Sequence, residues 1–303
     1  MASKKKGTVS GEEAFELYYS QQYGTRWSSL KDALKKDTVY FSVDFSSDEC
    51  SLEKYFLDPG SICSALCLPV KNAEKLLDLC AAPGGKTLIL SGTREKESVL
   101  YSNERSPQRK ERLVKVVKDT LPPSLSDSTK ISCSDGAVWC RRETENFDSI
   151  LLDVPCSSER HVLNSPKYLC EWTPSRIKTI SMEQWALLSG AWRLLKKGGF
   201  LLYSTCALAE KENDGTVEKL LKKFTDAEKV PHEKMLCHLE ENISRFSGQL
   251  TDVSFNHESS LSAKEKIISL FKAAEKTEHG LHILPDTSLG AGPLYFSLIY
   301  KRP

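Results

Sequence analysis

The sequence predicts an α/β chain built on a doubly wound, mostly parallel sheet, and three observations carry that prediction. Short apolar runs alternate with amphipathic helical segments from residue 75 onward. Two of the runs, Ile-Leu-Leu-Asp-Val-Pro-Cys (150–156) and Phe-Leu-Leu-Tyr-Ser-Thr-Cys (200–206), read as strands buried on both faces. The run from Lys75 to Leu79 leads straight into Ala81-Ala82-Pro83-Gly84-Gly85-Lys86, a glycine-rich strand-to-helix turn.

In order along the chain, Ser10-Gly11-Glu12-Glu13 has the form of a capping box opening a helix through Phe15, Leu17 and Tyr18. A second helix is expected over Trp27 to Leu34 and a strand over Val39 to Phe45. This front section ends at the turn Leu57-Asp58-Pro59-Gly60, before the apolar stretch Ile62 to Leu68. The expected division is therefore a small, mainly helical section at 1–58 and a large domain at 59–303.

The large domain begins with the Lys75–Leu79 strand, and Val99 to Asn103 forms the second, ending at Glu104. The helix Gln108 to Asp119 turns Leu113, Val116 and Val117 inward and Arg109, Lys110, Arg112 and Lys115 outward. Lys130 to Cys133 is the third strand, closing at Ser134-Asp135-Gly136, and Phe147 to Val154 is the fourth. A helix with Trp185, Leu188, Ala191, Trp192 and Leu195 on one face follows, with Lys196-Lys197-Gly198 as its C-terminal cap. Phe200 to Tyr203 is the fifth strand. Residues 210 to 280 read as a solvated, helix-rich insertion, and Pro293 to Tyr300 as a last strand returning to the sheet.

Composition narrows the class. The 303 residues carry 42 Lys and Arg against 41 Asp and Glu, so nucleic-acid contact must come from local patches and not from a global positive field. Ten cysteines and no secretory leader point to a reducing cytoplasm with free thiols. No apolar run reaches membrane-spanning length, so no membrane association is expected. Cys63 and Cys67, like Cys133 and Cys140, lack a neighbouring Cys or His at the paired spacing of zinc sites, and no metal is expected.

Chemistry concentrates at strand ends. In an open parallel sheet the carboxyl ends share one rim, where ligands bind, so Cys156 and Cys206 can face one substrate although they lie fifty positions apart. The small residues and glycines of 78–86 let backbone amides approach an anionic group at a helix start. Glu104, about twenty residues on, suits ribose hydroxyls, which implies a nucleoside-containing cofactor, and the missing third glycine argues against NAD.

Asp-Leu-Cys-Ala-Ala-Pro-Gly-Gly-Lys-Thr (78–87), Asp-Val-Pro-Cys (153–156) and Tyr-Ser-Thr-Cys (203–206) followed by Glu212-Asn213 resemble, in order and spacing, the Nop/Sun (RsmB/Nop) family of S-adenosylmethionine-dependent RNA cytosine-5 methyltransferases. The likeness covers roughly residues 55 to 220. Tyr18-Tyr19 to Trp27, Arg160-His161 and Gly292-Pro293-Leu294-Tyr295-Phe296 are most similar to the short branch containing the mitochondrial ribosomal-RNA member.

The resemblance implies a seven-stranded class I methyltransferase sheet. It also implies Cys206 as the nucleophile that adds to carbon 6, Cys156 as the releasing cysteine, Asp153 on the N3/N4 edge and Lys86 near the base. Cys80, Ala81, Ala82, Pro83, Gly84, Gly85 and Lys86 would hold the methionine end of S-adenosylmethionine. Glu104 would take the ribose and Asp135 the adenine amino group, with Arg109 in support and Asp153 bordering the same pocket.

The implied substrate is RNA, ribosomal before transfer, with the base unstacked. The chain is expected to act as a monomer, with a ribosomal precursor or auxiliary protein as a further partner and the front section helping to dock RNA. Arg141, Arg142, Arg160, Lys167, Arg176 and Lys178 are candidate phosphate contacts. Two other readings stand beside this one: DNA cytosine methylation, disfavoured by the Thr-Cys motif, and a catalytically idle RNA-binding assembly factor, disfavoured by the intact Cys206, Cys156 and Asp153.

Overall fold

The computed structural model describes residues 11–47, 50–253 and 261–303. The chain opens with α1 (Glu12–Tyr23), a 3-10 turn and α2 (Trp27–Lys35), followed by β1 (Phe41–Asp44) and β2 (Tyr55–Leu57). The expected capping serine, Ser10, lies outside the described residues. The N-cap of α1 is Gly11, which makes no side-chain bond.

α3 (Pro59–Leu66) is capped by Asp58, whose carboxylate accepts the Ser61 N–H, with Pro59 in the first turn. Then come β3 (Lys75–Asp78), α4 (Gly85–Thr93), β4 (Val99–Asn103), α5 (Pro107–Thr120), the short α6 (Pro123–Ser126), β5 (Thr129–Ser132) and β6 (Phe147–Asp153). Short α7 (Glu159–Leu163) and α8 (Pro166–Cys170) precede the long α9 (Pro174–Leu194) and β7 (Leu195–Thr205). The remainder is α10 (Asp214–Lys223), β8 (Ala227–Lys229), α11 (His232–Arg245), β9 (Gln249–Asp252), α12 (Ala263–Ala273), β10 (Glu275–Lys276), β11 (Leu281–Ile283) and β12 (Leu294–Lys301).

The main sheet has the order β10-β11-β12-β7-β6-β3-β4-β5, with β8 added on β12. β7, β6, β3, β4 and β5 are parallel, whereas β12 and its outer neighbours run antiparallel. Nine strands stand where seven were expected. The two extra strands are β8 and β10, of three and two residues, which lengthen one edge of a seven-strand path from β11 to β5.

Side-chain alternation divides the core cleanly. Leu76, Leu151, Leu202, Phe296 and Leu298 face a layer containing α3, α4, α5, α11 and α12. Leu77, Ile150, Leu152, Leu201, Tyr203 and Ile299 face α9 and α10. Both faces are covered, which is why these strands are apolar throughout.

Two expectations are corrected. Lys196-Lys197-Gly198 does not cap α9: the helix stops at Leu194 and β7 starts at once, with Leu195 paired to Phe147 beside a register shift. Gly198, at φ 78°, turns the chain within that irregular start. Nor is the segment 210–280 a solvated insertion. Met235, Leu239, Ile243, Phe246, Ile267 and Phe271 enter the principal core, and β9 pairs with β1 in a separate three-stranded sheet, β2-β1-β9. Charged residues on the outer faces of these amphipathic helices masked the buried stripe in the composition.

A third apolar cluster fastens the front section. Phe15, Tyr19, Trp27, Leu30 and Leu34 pack with Val162, Leu163, Trp172, Ile177 and Leu208. The front helices thus lie against the segments that follow Cys156 and Cys206.

Candidate active site

β3 is the switch point of the sheet: the chain leaves it outward through β4 and β5, then returns to β6 on its other side. The crevice at the carboxyl ends of β3 and β6 holds two adjoining depressions that share Cys80.

The larger depression, about 510 Å³, is lined by Leu79, Cys80, Asn103, Glu104, Arg109 and Asp135 among others. Glu104 is buried, and its Oε1 accepts the Ser106 N–H at 2.9 Å. Its Oε2 has no hydrogen bond, and the Arg109 guanidinium lies 3.3 Å away as an ion pair. Arg109 also donates to the Ala82 carbonyl at 2.6 Å, tying α5 to the glycine turn. Asp135 is exposed, with its carboxylate accepting the Ala137 N–H at 3.0 Å.

The second depression is walled by Tyr55, Leu57, Ser61, Asp78, Cys80, Ala81, Ala82, Pro83, Gly85, Lys86, Asp153, Cys206 and Leu294. The turn is close-packed: Gly84 sits at φ 123°, and a Cβ on Gly85 would lie 2.6 Å from Leu57 Cδ1. Burial holds the Cys80 thiol well above its ordinary value.

Lys86 donates to Asp153 Oδ2 at 2.8 Å and to Ser61 Oγ at 3.1 Å, while Ser204 donates to Asp153 Oδ1 at 2.7 Å. Burial opposes the Lys86 charge, yet the Asp153 carboxylate keeps its ammonium above the usual value.

The two sulfurs are brought together. Cys156 Sγ lies 2.8 Å from Cys206 Sγ, and Ser158 Oγ lies 3.5 Å from each. Both cysteines are free. The hydrogen bond from Cys156 lowers the Cys206 thiol below its ordinary value against the opposing effect of burial, with Ser158 assisting. That same bond, followed by burial, pushes Cys156 well above its own. The two thiols titrate as a coupled pair, and the contact favours the ionised form at Cys206 over that at Cys156.

Of the residues expected at the site, all line this crevice except Gly84, which shapes the turn behind it, and Cys156, which reaches the site through its contact with Cys206 Sγ. Arg160 is different: its guanidinium donates to the carbonyls of Leu34, Lys36, Gly290 and Gly292, so it is a structural tie and not a phosphate contact. Sequence reasoning missed Asp78. It is buried and its Oδ2 accepts the Thr87 hydroxyl at 2.7 Å, leaving Oδ1 without a partner. Burial raises its carboxyl to about 7. Its place at the head of the Asp-Leu-Cys motif was the available signal. Tyr55, Leu57 and Leu294 were also missed, since no local pattern brings them to the crevice.

The unpartnered Asp78 Oδ1, and Glu104 Oε2 held only by its ion pair, in a crevice backed by a glycine turn fit a cofactor carrying an ammonium group and ribose hydroxyls. Among the described residues no group of three or more His, Cys, Asp or Glu is placed to hold a metal ion, and no helix is long and apolar enough to cross a membrane.

Comparison with known proteins agrees with this geometry. The family model described as 16S rRNA methyltransferase RsmB/F matches residues 65–258, close to two thirds of the chain. Mouse 5-cytosine rRNA methyltransferase NSUN4 is 28% identical over 261 residues, which is 83% of this chain and 61% of that protein. Zebrafish mitochondrial tRNA (cytosine(34)-C(5))-methyltransferase is 34% identical over 176 residues, 57% of this chain and 47% of that one. The chain spans about half the length of the curated relatives it matches. A methyltransferase homologue from Pyrococcus horikoshii superimposes with a TM-score of 0.65 at 19% identity, over 95% of this chain and 94% of that chain, and shares the fold.

Proposed function

This chain belongs to the RsmB/F methyltransferase family, and from that membership we propose that it methylates carbon 5 of a cytosine in RNA, with S-adenosylmethionine as donor. The observation that carries the proposal is the pair of free sulfurs, 2.8 Å apart, on the rim beside the Lys86–Asp153 ion pair.

Carbon 5 of cytosine is a poor nucleophile. The Cys206 thiolate adds to carbon 6, the ring electron pair moves to N3, and N3 takes a proton from solvent that it then donates in a hydrogen bond to the Asp153 carboxylate. Carbon 5 is then enamine-like and competent to accept a methyl group. The cofactor supplies that methyl in activated form on a sulfonium centre. Asp78 and the backbone of Cys80 to Lys86 would hold its amino-acid end, Glu104 the ribose and Asp135 the adenine, with Arg109 fixing the turn to α5. Lys86 and Ser204 hold Asp153 in place from either side.

Release needs a base for the carbon-5 proton. Free Cys156 keeps its own proton because of its bond to Cys206, ahead of burial. Once Cys206 is a thioether that bond is gone, and Cys156, giving its proton to solvent, is the base placed beside the adduct. It takes the carbon-5 proton, the carbon 5–carbon 6 double bond re-forms as Cys206 leaves as thiolate, and N3 returns its proton to solvent.

Cys156→Ala is expected to accumulate a covalent protein–RNA adduct visible on denaturing gels, and Cys206→Ala to form none. An adduct in the second variant, or none in the first, would reverse these roles.

Ribosomal RNA is the proposed substrate, supported by the family description and the mouse relative. The zebrafish relative supports transfer RNA as the second reading. Bisulfite sequencing of both RNA pools with and without the gene separates them. The ten free thiols fit a reducing compartment, and the cytoplasm is the proposed one.

A further inference from the structure

We propose that helix α1, acting through the buried carboxylate of Glu159, is a clamp that holds the two cysteine-bearing loops in register and so sets the reactivity of Cys206. The proposal rests on the reading of Cys206 as nucleophile and deepens it by naming what positions that sulfur.

Glu159 is fully buried three residues after Cys156. Its Oε1 accepts the hydroxyls of Tyr19, from α1, and of Ser157, from the Cys156 loop. Its Oε2 accepts the Leu208 N–H at 3.0 Å, from the loop two residues past Cys206. One carboxylate therefore joins α1 to both loops.

The Leu208 carbonyl is gripped from the same helix. Gln22 Nε2 donates to it at 2.7 Å and the Tyr23 hydroxyl at 2.9 Å. Glu212 reinforces the arrangement from behind, its Oε2 accepting Ser157 N–H at 3.0 Å and Gln184 Nε2 at 2.8 Å.

The result lies between the two held residues. Ser158, adjacent to both Ser157 and Glu159, takes the left-handed conformation φ 55°, ψ 59°, uncommon for a residue with a side chain. In that conformation its hydroxyl reaches both sulfurs at 3.5 Å. Local strain of this kind persists only where surrounding contacts over-determine it. The hydrogen bonds of Glu159, Tyr19, Gln22 and Tyr23 supply that constraint.

None of these side chains faces the crevice, so they are positioning residues and not catalytic ones. Loosening the clamp lets the loops part, Cys206 loses its bonds from Cys156 and Ser158, and its thiolate character falls.

The test measures Cys206 itself. The full chain is treated with iodoacetamide at neutral pH without RNA, and alkylation of each cysteine is followed by peptide mass mapping, with exposed Cys133 as internal reference. Tyr19→Phe, and separately the pair Gln22→Ala with Tyr23→Phe, are expected to slow Cys206 alkylation at least fivefold relative to Cys133. Methylation assays on the same variants should show kcat reduced by a similar factor with KM for RNA and cofactor affinity within twofold of the parent. Unchanged Cys206 alkylation overturns the clamp, as does a parallel loss of cofactor affinity, which signals general loosening. Because alkylation needs no RNA, this readout stands apart from the trapping experiment, whose failure would strike the methyltransferase chemistry instead.

Discussion

Cys156 and Cys206 lie much further apart than the 2.05 Å or so of a disulfide, yet close enough to share one proton. A thiol that donates to a neighbouring sulfur stabilises that sulfur as thiolate, so the contact makes ionisation of one cysteine depend on the other. Asp78 shows the complementary case, an acid whose oxygen has no donor. A cationic ammonium placed there would satisfy Oδ1 and ionise a carboxyl that burial has lifted to about 7. Asp78→Asn is accordingly expected to weaken S-adenosylmethionine binding by about tenfold or more at pH 8, equivalent to about 1.4 kcal/mol or above. Titration calorimetry checks this, and equal affinity in the two proteins would remove Asp78 from the cofactor site.

Among the elements, α4 and β2 make the crevice and α11 supports it. The glycine turn reaches its ligand-facing position because β2 packs directly over Gly85, where Tyr55 and Leu57 leave no space for a side chain. Behind it, α3 ends against α11, and Asn242 of α11 donates to the carbonyls of Leu66 and Leu68 at 2.8 and 2.7 Å. These carbonyls are exit groups of a helix and have no partner inside it. Asn242→Ala leaves them buried and unbonded. The expected cost is about 2 kcal/mol of stability, measurable as a lowered midpoint in urea with an unchanged slope. A change below about 0.5 kcal/mol would show that water replaces the amide at no loss.

Taken over the whole molecule, the crevice and the elements packed behind it concentrate acids that burial has raised: Asp78, at the crevice, and Glu212, behind it, each to about 7, with buried Asp58 and Glu159 shifted the same way. The folded state holds protons that the unfolded chain has released by about pH 4.5. Stability from these groups is therefore present at acid pH and is lost as pH rises toward and through 7. The ligand-free protein is expected to melt at lower temperature at pH 7.5 than at pH 5.5, by an amount on the order of 3 kcal/mol in stability. Asp78→Asn should flatten that slope, and bound cofactor should reduce it. Melting curves across this range decide the matter: a transition temperature that climbs with pH would contradict it.

The sequence by itself determined the kind of frame and which residues gather on its rim. Asp153-Val-Pro-Cys156 and Ser204-Thr-Cys206 each close a run apolar on both faces, and buried parallel strands write that pattern locally. The glycine turn and Glu104 were legible for the same reason, since close backbone approach needs particular residue types at fixed spacing. The core stripe of residues 210–280 was not legible, because a charged outer face dominates composition when only one side of each helix is buried. Only the tertiary structure decided the distance between the sulfurs, through the pairing of Asp153 with Ser204 across β6 and β7. It also decided that Tyr19, some 140 positions before Glu159, would hold the loops in place, and that Asp78 would keep a lone oxygen. Pairing register, burial and electrostatic coupling arise between segments remote in sequence, and no periodicity within one segment encodes them.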